Sequence, residues 1–264
     1  MEKKKWDVYM KKIAVIFAGG TGQRMKANIP KQFLKVHGKE IIIHTIELFE
    51  NNSNVDEIYI ACIEDWIPYL EGLIDKFNIK KVMKVIPGGK TGQDTIFNGL
   101  VAVKKDNNDA IVLIHDGVRP LVSDETITKC IKSVEETGTA ITITPSYETP
   151  IITKNGKVYA MPKREEVSTA QAPQCFYLND ILNAHINERI NNPGYDGIID
   201  SCTLMFKNGV DCTLVEGNRG NIKVTTPEDY CVLIGNYNTR DYSEYMKLVE
   251  EDNKKSKVKK LEEK

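Results

Sequence analysis

The sequence predicts an α/β fold in which helices cover both faces of a mostly parallel, twisted sheet. Short apolar or β-branched runs alternate with segments whose apolar residues recur at helical spacing, and this alternation is typical of parallel sheets. Two of the runs, Ile13–Phe17 and Ala110–Ile114, are apolar throughout. Uninterrupted apolar runs of this length indicate strands that are buried on both faces, as the strands of a parallel sheet are.

Strand-like and helix-like segments alternate regularly up to residue 138. Ser123 is a favourable N-cap for the last helix of this part, because its hydroxyl can accept a hydrogen bond from the backbone of the first turn. The predicted elements are, in order, Ile13–Phe17 (strand), Glu40–Phe49 (helix), Glu57–Ile63 (strand), Trp66–Phe77 (helix), Lys81–Ile86 (strand), Gln93–Val103 (helix), Ala110–Ile114 (strand) and a helix from Ser123 towards Glu136.

The pattern changes after residue 138. Ile151–Thr153 and Lys157–Ala160 flank Asn155-Gly156, and Asn-Gly between two strand-like runs is a strong hairpin signal. We therefore expect residues 146–168 to form a β-arm that projects from a Rossmann-like three-layer αβα sandwich. The remaining predicted elements are the strand Thr139–Thr144, the helices Leu178–Arg189 and Asp200–Lys207, the strand Cys212–Val215 and a closing helix Thr226–Gly235.

Length and composition limit the class of protein. We assign residues 1–239 to a single domain and residues 240–264 to a charged tail. The formal net charge of -1 argues against a nucleic-acid partner held by electrostatics. Six cysteines without a C-x-x-C pair favour reduced thiols in a cytoplasmic protein. No apolar run is long enough to span a bilayer, so no membrane insertion is expected.

A glycine-rich segment follows the first predicted strand. Gly19, Gly20 and Gly22 allow a tight turn that brings backbone N–H groups close to a ligand. Arg24 and Lys31 add two cations within the next ten residues. Backbone donors combined with fixed positive charge suit a polyphosphate.

Two common phosphate-binding motifs do not fit this segment. It is not a P-loop, because no Gly-Lys-Ser/Thr follows the glycines. It matches the dinucleotide-binding motif G-x-G-x-x-G poorly, because Met25 stands in place of the third glycine and no acidic residue lies near the end of the next strand. A plain glycine-rich turn with two surface cations remains the structural alternative.

Asp116 ends the second fully apolar strand. The carboxyl ends of parallel strands form the edge at which such sheets bind ligands. Asp116 is therefore either a turn residue or an oxygen ligand for Mg²⁺ that bridges triphosphate oxygens, since Mg²⁺ favours one or two carboxylates together with phosphates. The four histidines show no spacing that would pair them with a nucleophile or a metal.

The segments Ala18–Met25 and Pro30–Leu34 resemble two motifs, A-G/A-G-x-G-x-R-M and P-K-Q-F/Y-L. These motifs belong to the cytidylyltransferases that join CTP to a sugar-alcohol phosphate, namely the methylerythritol phosphate and ribitol phosphate enzymes. His115–Pro120 is similar to the H-D-x-x-R-P motif of the same family, and 220–225 is similar to its D/S-N-I/L-K-I/V-T segment. The resemblance extends through residues 12–236.

The resemblance implies a role for each matching residue. Arg164 would be presented by the arm to the acceptor site of a neighbouring subunit, which implies a homodimer. The implied roles are catalysis by Arg24, Lys31 and Lys223, nucleotide binding by Ala18, Gly19, Gly20, Thr21, Gly22, Gly89, Thr95 and Gly117, acceptor binding by Arg119, Thr149, Arg164 and Asn221, and Mg²⁺ binding by Asp116.

Three positions depart from the family pattern. Gly92 stands where an arginine is usual, and Ala172 replaces the threonine of a T-P-Q motif. Gly220 stands where the methylerythritol enzymes have a second aspartate and the ribitol enzymes tend to have serine. The missing aspartate, together with Phe33 after P-K-Q, favours the ribitol branch. The changes at Ala172 and Gly220 leave another polyol phosphate open as acceptor, such as glycerol phosphate.

The expected reaction joins two anions. A phosphate monoester oxygen attacks the α-phosphorus of CTP and pyrophosphate leaves, so cations and a metal are needed more than a general base. We predict a cytidylyltransferase that makes a CDP-polyol for cell-surface polymer synthesis, with D-ribitol 5-phosphate as the favoured acceptor. The alternatives are the 2-C-methyl-D-erythritol 4-phosphate cytidylyltransferase of isoprenoid synthesis and a non-catalytic regulatory protein that binds a nucleotide.

Overall fold

A computed structural model describes residues 9–20, 25 and 29–239. The strands are Lys12–Ala18 (β1), Lys35–Val36 (β2), Lys39–Glu40 (β3), Glu57–Cys62 (β4), Val82–Pro87 (β5), Ile111–Asp116 (β6), Thr139–Pro145 (β7), Ile152–Lys154 (β8), Lys157–Ala160 (β9), Ser168–Tyr177 (β10) and Leu214–Glu216 (β11). The helices are Ile41–Glu50 (α1), Ile67–Lys76 (α2), Gly92–Asp106 (α3), Asp124–Thr137 (α4), Leu178–Asn191 (α5), Ser201–Lys207 (α6) and 227–239 (α7).

Seven strands form the central sheet in the order β11-β7-β10-β6-β1-β4-β5. Every neighbouring pair is parallel except the two pairs made by β10, which runs antiparallel to β6 and β7. The predicted mostly parallel sheet is confirmed. The chain passes from β1 to β4 and β5 on one side and then crosses to β6 on the other side of β1. A crevice therefore opens beyond the carboxyl ends of β1 and β6.

Helices pack on both faces of this sheet. Successive residues of β1 point to opposite faces, so Ile16 joins an apolar cluster with α1, α2 and α4, while Val15 joins a second cluster with α3, α5 and α6. Each fully buried side chain of this size stabilises the fold by about 1.5–3 kcal/mol. The two clusters confirm the predicted three-layer αβα sandwich and fix the β1 and β6 ends from both sides.

The projecting arm is also confirmed. β8 and β9 pair as an antiparallel hairpin, and its turn residues Asn155 and Gly156 have φ angles of 51° and 73°, the left-handed values that an Asn-Gly hairpin turn requires. At the base of the arm the Ser146 backbone N–H donates a hydrogen bond to the Val167 carbonyl oxygen at 3.1 Å. Residues 146–167 thus leave and re-enter the sheet at one point.

The sequence did not predict the strand β10. Pro173 lies inside it, and a proline normally argues against a central strand because it cannot donate to the ladder. The pairing of β10 with β7 is interrupted between Ala170 and Gln174, and Pro173 falls within this interruption. The short β2–β3 hairpin was not predicted either. The predicted tail 240–264 lies outside the described residues, and within those residues no helix is long and apolar enough to cross a membrane.

Candidate active site

Two adjacent cavities open in the crevice beyond β1 and β6. The first, which we call the loop cavity, has a volume of about 340 Å³ and is lined by 18–20, Lys31, Gln32 and the residues 89–92 before and at the start of α3. The second, the β10 cavity, has a volume of about 260 Å³ and is lined by residues of β10, the start of α6, Gln93 and Arg119. The residues that line both cavities are Phe17, Gly92, Asp116 and Lys223.

Asp116 lies at the shared wall and is only 5% exposed. Its Oδ1 atom is 2.5 Å from Lys223 Nζ, and its Oδ2 atom accepts a hydrogen bond from Arg119 Nε at 2.8 Å. Burial raises the pKa of this carboxyl, but Lys223 and Arg119 outweigh burial and hold the pKa at about 2. Asp116 is therefore a carboxylate at neutral pH, with a cation on each oxygen.

Arg119 and Asn221 fix the loop that carries Lys223. Arg119 Nη1 donates to the Asn221 carbonyl oxygen at 2.8 Å. Asn221 is fully buried, and its Nδ2 donates to the Ala172 carbonyl oxygen at 2.7 Å and to Gln171 Oε1 at 3.2 Å. Asn221 thus ties the lysine loop to β10 and lines neither cavity, so its place is that of a positioning residue rather than a substrate contact.

Two lysines approach the loop cavity from the same side. Lys31 Nζ donates to the Val224 carbonyl oxygen at 2.9 Å, directly after Lys223 in the chain. The Lys223 side chain is 41% exposed and is one of the groups that both cavities share. The arrangement places positive charge where a phosphate chain would pass from one cavity to the other.

The glycine-rich segment packs tightly against the start of α3. A Cβ atom on Gly19 would lie 2.6 Å from Thr95 Oγ1, and one on Gly89 would lie 2.2 Å from Asp94 Cβ. The Gly89 N–H donates to Thr95 Oγ1 at 3.0 Å. Thr91 and Asp94 form a capping box that holds this end of α3. Glycine is therefore required at positions 19 and 89 by close approach of the backbone.

Gln32 holds the other side of the segment. Its side chain is 1% exposed, and its Nε2 donates to the carbonyl oxygens of Ala18 at 2.7 Å and Gly20 at 3.2 Å. Sequence reasoning treated Gln32 only as part of a motif and gave it no role. Its place directly after Lys31 in that motif was the signal that could have identified it.

His115 is a structural residue. It is fully buried, and its Nε2 donates to the Arg119 carbonyl oxygen at 3.0 Å. Burial lowers its pKa to about 4, so the ring is neutral at pH 7 and carries no charge towards a phosphate.

Most of the predicted site residues meet in the crevice. Gly117 lies behind the wall, where its N–H donates to the Phe17 carbonyl oxygen at 3.0 Å. Thr149 and Arg164 are exposed on the arm and line neither cavity. The predicted residues Thr21, Gly22 and Arg24 lie outside the described residues. The predicted residues that line at least one cavity are Ala18, Gly19, Gly20, Lys31, Gly89, Thr95, Asp116, Arg119 and Lys223.

The three departures from the family pattern fall at different places. Gly92 lines both cavities, and a Cβ atom there would meet nothing within 4 Å, so packing does not require glycine. Ala172 lines the β10 cavity, whereas Gly220 lines neither cavity. The β10 cavity therefore departs from the family pattern at Gly92 and Ala172, whereas the loop cavity departs from it at Gly92 alone among its described lining residues.

Nucleotidyl transfer accounts for this arrangement better than acid–base catalysis does. Lys223 and Arg119 contact an ionised carboxylate where two cavities meet, and Lys31 and the backbone of residues 18–20 line the cavity beside it. Fold and site together define a nucleotidyltransferase. The chain belongs to the IspD family, described as 2-C-methyl-D-erythritol 4-phosphate cytidylyltransferase, whose sequence profile matches residues 12–233.

Individual relatives come from two branches. The chain is 48% identical over 223 residues to the ribitol-5-phosphate cytidylyltransferase of Vibrio parahaemolyticus, covering 83% of this chain and 93% of that protein. It is 39% identical over 220 residues to a 2-C-methyl-D-erythritol 4-phosphate cytidylyltransferase of Clostridium botulinum, covering 83% and 94%. The solved 4-diphosphocytidyl-2C-methyl-D-erythritol synthase of Anaerococcus prevotii is similar with a TM-score of 0.75 and 26% identity, over 88% of this chain and 96% of that one.

Proposed function

We propose that the protein transfers CMP from CTP to a polyol phosphate, with D-ribitol 5-phosphate as the acceptor, and that the CDP-ribitol so formed serves cell-surface polymer synthesis. The observation that carries the proposal is the shared wall of the two cavities, where Asp116 and Lys223 lie between a phosphate-binding loop and a polar pocket. The higher identity to ribitol-5-phosphate cytidylyltransferases, at 48% against 39%, supports the choice of acceptor.

The two cavities divide the substrates between them. CTP occupies the loop cavity, with its triphosphate over the backbone N–H groups of Gly19 and Gly20 and beside Lys31. The polyol phosphate occupies the β10 cavity, where Arg119 and Lys223 receive its phosphate. An oxygen of that phosphate then bonds to the α-phosphorus of CTP, and the bond from the α-phosphorus to the bridging oxygen breaks, so that pyrophosphate leaves with the electron pair.

Lys223 stabilises the charge that develops in this step. It pairs with Asp116 when no phosphate is present, and its partial exposure leaves it able to turn towards an incoming triphosphate. Arg119 is held by Asp116 and by the Asn221 carbonyl oxygen, so its guanidinium is fixed before the substrate arrives. Preorganised cations of this kind avoid a reorganisation cost during the reaction.

We also propose that Asp116 holds Mg²⁺. One carboxylate with phosphate oxygens and water is a sufficient ligand set for Mg²⁺, and Asp116 is ionised and lies where both substrates meet. No group of three or more His, Cys, Asp or Glu side chains gathers among residues 9–20, 25 and 29–239. The metal would therefore depend on the nucleotide for most of its ligands. When bound, it would neutralise charge on the triphosphate.

The arm supports a homodimer. Its side chains expose apolar surface that the single chain leaves uncovered, with Val158, Tyr159 and Met161 at 60%, 68% and 67% exposure. We propose that two copies exchange arms, so that Thr149 and Arg164 of one copy complete the β10 cavity of the other. This arrangement gives both residues the acceptor contact that they lack within one chain.

Two alternatives remain distinguishable. The description of the family and the relatives at 39% identity favour 2-C-methyl-D-erythritol 4-phosphate as a second candidate acceptor. The non-catalytic alternative is weakened, because Lys31, Asp116 and Lys223 meet in one place.

Pyrophosphate release from CTP and Mg²⁺ tests the acceptor directly. We expect release with ribitol 5-phosphate and little or none with 2-C-methyl-D-erythritol 4-phosphate or with glycerol phosphates. Release only with 2-C-methyl-D-erythritol 4-phosphate would move the protein to the second candidate. CTP binding without release from any acceptor would return it to the non-catalytic alternative.

Gln32→Met should weaken CTP binding. The substitution removes the two hydrogen bonds that hold the carbonyl oxygens of Ala18 and Gly20, so the loop that binds the phosphates becomes less fixed. Loss of two neutral hydrogen bonds corresponds to about a 10-fold higher KM for CTP. Steady-state kinetics with varied CTP measure this, and the KM for the acceptor should stay near that of the wild type. An unchanged KM for CTP would show that Gln32 has no part in shaping the loop.

A further inference from the structure

We propose that Gln93 and Ser201 bind the hydroxyl groups of the acceptor in the β10 cavity and thereby determine which polyol phosphate the enzyme uses. This inference rests on the proposed function, since it concerns the acceptor half of the same reaction.

Both residues are buried in the wall of the β10 cavity. Gln93 is the second residue of α3 and is 5% exposed, while Ser201 is the first residue of α6 and is 1% exposed. The two helices belong to the same face of the sheet, so side chains far apart in the sequence line one pocket.

Each of these side chains carries an oxygen without a partner. Gln93 Oε1 and Ser201 Oγ are buried and make no hydrogen bond within the described structure. A buried polar atom normally has a partner in the protein, in ordered water or in a ligand, and leaving it without one is costly. Both residues line one cavity, so a small rotation of either side chain would present its oxygen to a polar ligand there, and that ligand would supply the missing partner.

The neighbouring polar groups of this wall already have partners. Gln174 Nε2 donates to Asp200 Oδ2 at 2.8 Å, and Gln174 Oε1 accepts from the Cys202 N–H at 2.8 Å. Gln171 Oε1 accepts from Asn221 Nδ2 at 3.2 Å. These bonds fix the wall, so among the described lining residues Gln93 and Ser201 are the uncharged ones whose buried oxygens remain without a partner.

Gln93 Oε1 and the nearby Asp200 favour a hydroxyl over a phosphate, and Ser201 Oγ can serve a hydroxyl equally well. Gln93 Oε1 is an acceptor only and would repel a phosphate oxygen, whereas a hydroxyl group can donate to it. Ser201 Oγ can donate to and accept from a hydroxyl group. The carboxylate of Asp200 on the same wall also disfavours a phosphate. The phosphate of the acceptor therefore lies at Arg119 and Lys223, and its uncharged polyol chain lies at Gln93 and Ser201.

Such a site discriminates against acceptors that lack a hydroxyl group. An analogue without the hydroxyl leaves a buried oxygen of the protein without a partner, and sites built to bind a hydroxyl reject such analogues strongly. Ile96 and Ile114 line the same cavity and provide an apolar surface for the carbon chain.

A cycle of variants and deoxy acceptors tests the proposal. The variants are Gln93→Met and Ser201→Ala, and the acceptors are ribitol 5-phosphate and its monodeoxy forms, assayed by pyrophosphate release with CTP and Mg²⁺. We expect each variant to raise the KM for ribitol 5-phosphate about 10-fold, the size expected for losing one buried hydrogen bond, and to leave the KM for CTP within about twofold. Each variant should also become insensitive to removal of one particular hydroxyl to which the wild type is sensitive.

Ser133→Ala is the matched control. Ser133 is also a buried helical serine, but its Oγ donates to the Thr139 carbonyl oxygen and it lines neither cavity, so both KM values should remain at the wild-type level. Where a variant does not fold, Ser201→Cys or Gln93→Leu replaces it, because each removes or weakens the same hydrogen bond at a similar side-chain volume.

The outcomes separate this inference from the proposed function. The inference is wrong if the variants discriminate between the deoxy acceptors in the same way as the wild type. It is also wrong if they raise the KM for CTP as much as the KM for the acceptor. A wild type that uses a different polyol phosphate overturns the proposed acceptor alone, and the same cycle run with deoxy forms of that acceptor then decides the inference. A wild type that releases pyrophosphate with no polyol phosphate overturns both.

Discussion

Asp116→Asn is expected to lower kcat by about 1000-fold, because the substitution removes the one charge that fixes both Lys223 and Arg119 at the junction of the cavities. It also removes the proposed ligand of Mg²⁺. The two cations then face an uncharged amide, and we expect the free energy of unfolding to fall by about 2 kcal/mol, as is usual when a buried charged hydrogen bond is broken. Single-turnover kinetics measure the first effect, and urea unfolding measures the second.

Asp106→Asn is the matched control for this prediction. Asp106 also lies between a lysine and a second donor, since it accepts from Lys84 Nζ at 2.8 Å and from Tyr59 Oη at 2.8 Å. It lines neither cavity, so kcat should stay near the wild-type value. A kcat for Asp116→Asn within tenfold of the wild type would show that the carboxylate is structural.

Lys223→Met is expected to lower kcat by about 100-fold, with a smaller rise in the KM for CTP. Lys223 is the cation that both cavities share, so it acts on the charge that builds up as the acceptor attacks, more than on the nucleotide in its ground state. Methionine retains much of the apolar side chain and removes the ammonium group. Steady-state kinetics with each substrate varied in turn separate the two parameters.

Lys84→Met provides the comparison. The Lys84 side chain is 44% exposed and its Nζ lies 2.6 Å from Asp106 Oδ2, whereas the Lys223 side chain is 41% exposed and its Nζ lies 2.5 Å from Asp116 Oδ1. The two lysines are similarly exposed and each substitution removes one ion pair, although the Asp106 side chain is 35% exposed and that of Asp116 only 7%. Of the two lysines, Lys223 alone lines the cavities. Equal effects of the two substitutions on kcat would contradict a role for Lys223 in the transition state.

The elements whose signal lies within one short segment were predictable from the sequence. β1 and β6 are buried on both faces, so their sequences are apolar throughout and their positions agree with the prediction to within two residues at each end. The arm was predictable because Asn155-Gly156 specifies a turn by itself. Gly19, Gly89 and Asp116 were identified through motifs, and the structure places all three in the lining of the loop cavity.

The remaining features depend on contacts between distant parts of the chain. β10 contains Gln171, Pro173 and Gln174, which give no apolar alternation, and its buried glutamines are satisfied by Asn221 and Asp200 from later segments. Gln93 and Ser201 carry no local signal either, because their significance lies in two oxygens that find no partner among the residues that the structure describes. Periodicity describes what an element buries, and it contains no information on which polar atoms remain unpaired.

The closed base of the arm makes it separable from the rest of the protein. The Ser146–Val167 hydrogen bond closes the base of residues 146–167 where they leave the sheet, and β7 and β10 pair directly beside it. The free energy of closing a loop depends only weakly on its length, so a longer or shorter arm beyond this hydrogen bond should change the stability of the core little. One continuous stretch of chain can therefore be transplanted between relatives, which would exchange the proposed subunit contact and leave the nucleotide half of the enzyme intact.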